Sequence, residues 1–121
     1  MERDKHAASS IKKAVASLES AMRALVNERN MAERMIWEAA SETEYAVFIL
    51  SLLQRSEEHS WKSGYKQKMG EIEVGPALIS AQDLLKEAEK IVNTNPEEAY
   101  RKAWMARHYI LRAQRLLTKK E

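Results

Sequence analysis

Asn27-Glu28-Arg29-Asn30 is the stretch on which the fold turns. From Asp4 to Ser56 the chain has no glycine and no proline, so nothing else in that span interrupts a helix. Asparagine is a poor interior helix residue, yet neither Asn27 nor Asn30 forces a stop. Read straight through, the span is a single rod of about fifty residues and ~75 Å. Read as a tight turn, it divides the chain into four segments of matched length, about 5–26, 31–56, 76–93 and 96–118. Matched lengths suit an antiparallel four-helix bundle. The turn is the reading adopted here, and the predicted fold class is all-α.

Upstream of the turn, Ile11, Val15, Leu18, Met22 and Leu25 recur in steps of four and three, the one-sided stripe of a packed helix. Glu19 precedes Arg23 by four, the favourable order for a surface pair. Downstream, apolar positions resume at Met31, Met35, Ile36, Ala39 and Ala40 and then crowd into YAVFILSLL, residues 45–53. Serine is the only polar residue in that block, so at helical spacing its side chains point in every direction. Such a segment is either central or meets a second copy of the protein. Val47, Phe48 and Leu52 fall off the Ala46–Leu50–Leu53 seam and are the predicted subunit contact of a homodimer.

The third and fourth helices have clearer starts. Val74-Gly75-Pro76 places a proline where a first helical turn needs no N–H, with Val74 and Ile79 spaced as a hydrophobic staple around a Gly75 cap. Leu78, Ala81, Leu84, Leu85, Ala88, Ile91 and Val92 form one face. Asn93-Thr94-Asn95-Pro96-Glu97-Glu98 then closes one helix and opens the next. Asn95 is the cap, Pro96 the first helical residue, and the two glutamates sit at the positive end of the dipole. On the last helix Ala99, Ala103, Ala106, Ile110, Ala113 and Leu117 make a seam that lets a neighbouring backbone come close, while Tyr100, Trp104 and Leu111 widen its apolar face.

Residues 57–75 form the predicted connecting loop and hold all three glycines. Trp61, Tyr65 and Lys66, with Lys62 and Lys68, have the composition of a surface that stacks bases and holds phosphates. A long connection between helices also needs soluble cover, and a strap is the preferred reading.

The chain of 121 residues has the size of one domain and can bury a core without staples. It has no cysteine, which removes disulfides, thiolate metal sites and cysteine nucleophiles and suits a reducing compartment. The opening residues, MERDKHAASS, do not read as a signal peptide, and the richest apolar run is too short for a bilayer. A cytoplasmic protein is expected. Net charge is +2 but uneven: Arg101 to Lys120 carries seven basic residues and no acid, whereas 33–44 carries four glutamates and one arginine.

Chemistry finds few footholds. None of His6, His59 and His108 has a glutamate three residues before it, as a di-metal bundle site requires, and no nucleophile motif is present. No metal and no cofactor are predicted. Glu38, Glu42 and Glu44 are read as an exposed helix face. Arg101 and His108, in RKAWMARH, lie seven apart on one side of a helix. That spacing, and the alanine- and aromatic-rich AYRKAWMA around it, resembles the helical HEPN ribonucleases, with Lys102 where that family has a polar residue. The resemblance covers about twenty residues and implies RNA cleavage with Arg101 and His108 as the catalytic pair. Independently of it, Arg101, His108, Arg112, Arg115 and Lys119 fall within about 60° on the face opposite the alanine seam, a rail that could hold phosphates or pair with Glu33, Glu38, Glu42 and Glu44.

The leading expectation is therefore a non-enzymatic helical interaction or assembly module, homodimeric and working through exposed helix faces. The alternative is a nucleic-acid-associated protein using Arg101, Arg112, Arg115 and Lys119 with Trp61, Tyr65 and Lys66.

Overall fold

A computed structural model describes residues 2–52 and 72–119, with side chains from Lys5 to Leu52 and from Ile72 to Thr118. The described residues form four helices: α1 (Glu2–Asn27), α2 (Arg29–Ser51), α3 (Val74–Ile91) and α4 (Pro96–Lys119). The predicted continuation of α2 to residue 56 and most of the predicted 57–75 loop, including Trp61, Tyr65 and Lys66, lie outside them.

The turn between α1 and α2 is a single residue. Glu28 leaves the helical region at φ −133°, ψ 73°. Its N–H still closes the last bond of α1 on Ala24, at 2.7 Å, and its carbonyl accepts the first bond of α2 from Ala32, at 2.9 Å. One residue thus satisfies a backbone group at both helix ends, so no glycine is needed there. At the start of α4, Asn95 Oδ1 accepts the Glu98 N–H at 3.2 Å, the cap expected from the sequence.

The start of α3 corrects the expectation. Glu73, extended at φ −83°, ψ 166°, is the N-cap, so Pro76 is the third helical residue, still within the turn whose N–H groups have no partner. Gly75 lies inside that turn, and a Cβ there would meet nothing within 4 Å. Ile79 is exposed, which rules out the Val74–Ile79 staple. Ile72, before the cap, packs against the core instead.

Each helix packs against two others: α1 on α2 and α3, α4 on α2 and α3. Cross-helix bonds set the directions. Lys12 reaches Glu89 at 3.8 Å and Gln82 reaches Val15 and Glu19, so α1 and α3 are antiparallel. Arg29 bonds the Leu117 carbonyl and Arg107 bonds Glu44, so α2 and α4 are too. Every neighbouring pair is antiparallel, while α2 and α3 run the same way across the diagonal. Leu52 and Ile72 therefore sit at opposite ends of the bundle. The sequence separating them must be long: α2 spans ~35 Å, and a chain covers at most ~3.3–3.6 Å per residue.

Ile11, Leu18, Ile36, Leu50, Leu78, Leu85 and Ile110 are fully buried. Around them run alanines: 7, 14 and 21 on α1, 77, 81 and 88 on α3, and 99, 103, 106 and 113 on α4, all inaccessible. Short side chains at the points of closest approach let the helix axes draw together, and the larger residues fill the interior between them.

Candidate interaction face

The inward side of α2 is set by Ala32, Ile36, Ala39, Ala40, Thr43, Ala46, Ile49 and Leu50, all buried. At 100° per residue, Trp37, Ser41, Phe48 and Leu52 fall within about 60° of one another on the opposite side, with Tyr45 about 20° beyond. Four large residues on that side face solvent: Trp37 is 61% exposed, Phe48 58%, Leu52 48% and Tyr45 45%. They form a stripe along about fifteen residues, ~22 Å of helix. Of the three predicted contact residues, Phe48 and Leu52 belong to it. Val47 is half-buried and packs against the core, about 100° round the helix from Phe48.

Trp37 stands between two open grooves. The one towards α1, of about 540 Å³, is bordered by Lys13, Ala16 and Glu42. The one towards α4, of about 300 Å³, is bordered by Gln114, Leu117 and Glu33. In the second, Glu33 Oε1 is buried without a hydrogen bond, with Arg29 Nε 3.8 Å away. Among the described residues no group of three His, Cys, Asp or Glu could hold a metal ion, and no helix is long and apolar enough to cross a membrane.

On α4, Arg101 and Arg115 are exposed, and His108 and Arg112 half-buried, on the side away from the alanine seam. Lys119 is the last residue of the helix. His108 stands edge-on against the buried Trp104, ring centroids 4.0 Å apart at 61°, so packing holds its imidazole. Two other cations of α4 are committed to carboxylates. Arg107 bonds Glu44 through Nε and, at 3.4 Å, through Nη2. Lys102 Nζ lies 2.7 Å from Glu87. The Lys102 hydrogen bond and charge, with a smaller contribution from Lys90, hold the Glu87 carboxyl below its ordinary value. The acidic side of α2 thus meets α4 at Arg107, off the rail, while Glu33 pairs with Arg29 of its own helix.

Sequence reasoning passed over Trp37 and Tyr45. The signal that finds them is the run Trp37, Ser41, Tyr45, Phe48, Leu52 in steps of four, four, three and four. It separates from the core pattern only once the buried side of α2 is known.

Comparison with known proteins returns no match among family models, curated proteins or solved structures.

Proposed function

We propose that this chain is a non-enzymatic helical interaction and assembly module of the cytoplasm, homodimeric through the outer face of α2. The observation that carries the reading is the exposure of Trp37, Tyr45, Phe48 and Leu52 on one side of a helix whose other side is already packed. A large aromatic side chain has ~150–250 Å² to bury, so at these exposures the four residues offer on the order of 400 Å² per copy. A specific interface needs about 1,000 Å² or more in total, and a pair of such stripes with their flanks supplies that. Absence of cysteine supports the reducing compartment.

Analytical ultracentrifugation at high micromolar concentration tests the reading. A dimer is expected, and Tyr45→Ala or Phe48→Ala should weaken it at least tenfold, since central aromatic anchors carry most of an interface's energy. A monomer throughout that range overturns it.

A second reading rests on Arg112 and Arg115, which form no ion pair with a carboxylate among the described residues. Together with Arg101 they would bind the phosphates of RNA. Retention on heparin that falls steeply between low and moderate salt, and weakens in an Arg112→Ala/Arg115→Ala double variant, supports it. Single-stranded RNA left intact by micromolar protein would set aside cleavage by Arg101 and His108.

A further inference from the structure

We infer that the two copies of α2 pair antiparallel, about a two-fold axis passing between Tyr45 and Phe48. The inference rests on the homodimer reading and adds the orientation, the register and the role of Ser41.

Along the outer face Arg34, Glu38, Ser41, Tyr45, Phe48 and Leu52 recur in alternating steps of four and three, the repeat that lets two helices mesh side chains. The stripe is uneven. Its bulk lies at Tyr45, Phe48 and Leu52, and Ser41 leaves a gap between Tyr45 and Trp37. An antiparallel partner centred between Tyr45 and Phe48 fits that unevenness. Tyr45 of each copy meets the partner's Phe48, and Leu52 of each copy enters the gap over the partner's Ser41, beside the partner's Trp37. The same contacts occur twice, as a two-fold interface requires.

Parallel pairing fails on the same residues. It stacks Arg34 on Arg34 and Glu38 on Glu38, like charges directly opposed. It also sets Ser41 against Ser41, leaving a void between aromatic layers, and brings equal ends of the two helix dipoles together. Antiparallel pairing removes all three penalties. Nor does the core compete for these residues: Trp37, Phe48 and Leu52 point away from it, and a substitution there leaves the interior intact.

With no cysteine in the chain, engineered thiols report the geometry directly. A mixture of Ser41→Cys and Leu52→Cys proteins, oxidised gently, should form a cross-linked heterodimer. Ser41→Cys alone should not cross-link to itself. Its two thiols would lie ~16 Å apart along the antiparallel axis, beyond the ~7 Å between Cα atoms that a disulfide spans. A spin label on Ser41→Cys gives a second readout that spares Leu52. Backbone separations of about 20 Å are expected for antiparallel pairing and about 10 Å for parallel, given helix axes 8–10 Å apart. Self-cross-linking at position 41 with the short separation, in a protein that still sediments as a dimer, overturns the orientation and leaves the homodimer standing. A label pair at any other separation in a sedimenting dimer overturns this register and face. Sedimentation as a monomer overturns both.

Discussion

Gln82 of α3 donates its side-chain N–H groups to the Val15 carbonyl and to Glu19 Oε1 of α1, each at 3.2 Å. It is one of few polar side chains buried in the bundle. Val15 and Glu19 are one helical turn apart, so the amide fits at a single sliding position of α3 along α1. Leu78, Ala81 and Leu85, which pack on the same side, would tolerate a shift of one turn far better.

Gln82→Ala should therefore cost about 1–3 kcal/mol, through a lost hydrogen bond and a small cavity. Gln82→Leu refills the volume and leaves no buried donor, so its stability should lie within ~1 kcal/mol of the parent. Urea unfolding measures both. Equal losses in the two variants would show that the bonds to α1, rather than the volume, carry the stabilisation.

Acid should weaken the α3–α4 hairpin through Glu87. Its carboxyl is held low by Lys102, so the folded state favours the charged form. That contribution is complete above the unfolded carboxylate value and is lost as pH falls through the lowered folded one. Replacing Glu87 by Gln should flatten the acid limb of a stability-against-pH curve and leave the neutral-to-basic limb parallel to the parent's. The change should be small and reduced by salt, because the pair is solvated.

The alanine seams carry a prediction of the opposite kind from a cavity. Ala103 is inaccessible on the face of α4 that meets its neighbours, where a leucine would have to force the helices apart. Ala103→Leu should destabilise by roughly 1–3 kcal/mol, whereas Arg115→Leu, at an exposed position of the same helix, should change stability by no more than ~0.5 kcal/mol. Thermal unfolding of the pair distinguishes close axis packing from a tolerant core.

These seams also mark how far the sequence could be read. On α4 every residue of the pattern Ala99–Ala103–Ala106–Ile110–Ala113–Leu117 is buried, and Tyr100 and Trp104, on the flank that widens the apolar face, are buried beside it. On α1 the larger residues mark the inward side but not its centre. Val15, Met22 and Leu25 form an apparent stripe with Ile11 and Leu18, yet they are half-buried, and Ala7, Ala14 and Ala21 hold the central line. Hydrophobic periodicity finds the side of a helix that faces inward. It does not say which residues sit nearest the neighbouring axis, since that depends on how close the axes come. The directions of α2 and α3 were out of reach for a related reason, as a long connection fits parallel or antiparallel helices alike. Trp37 was hidden by its neighbour: beside Ile36 it reads as core, and only the burial of Ile36, Ala39, Ala40 and Thr43 turns it outward.

Thr43 gives the sharpest test of the interior. It is fully buried in the middle of α2, and its Oγ1 has no hydrogen-bond partner. A hydroxyl removed from water without a bond costs about 1–3 kcal/mol. Valine keeps the branched shape and discards the hydroxyl, so Thr43→Val should stabilise the protein by ~1–2 kcal/mol, a rise of several degrees in Tm for a domain of this size. Thr43→Ser keeps the hydroxyl and loses the methyl, and should destabilise. The alternative is that the hydroxyl turns to the carbonyl one turn back, as serine and threonine do within helices. In that case Thr43→Val would lose a bond and show no gain. The sign of the valine substitution in thermal unfolding decides between the two.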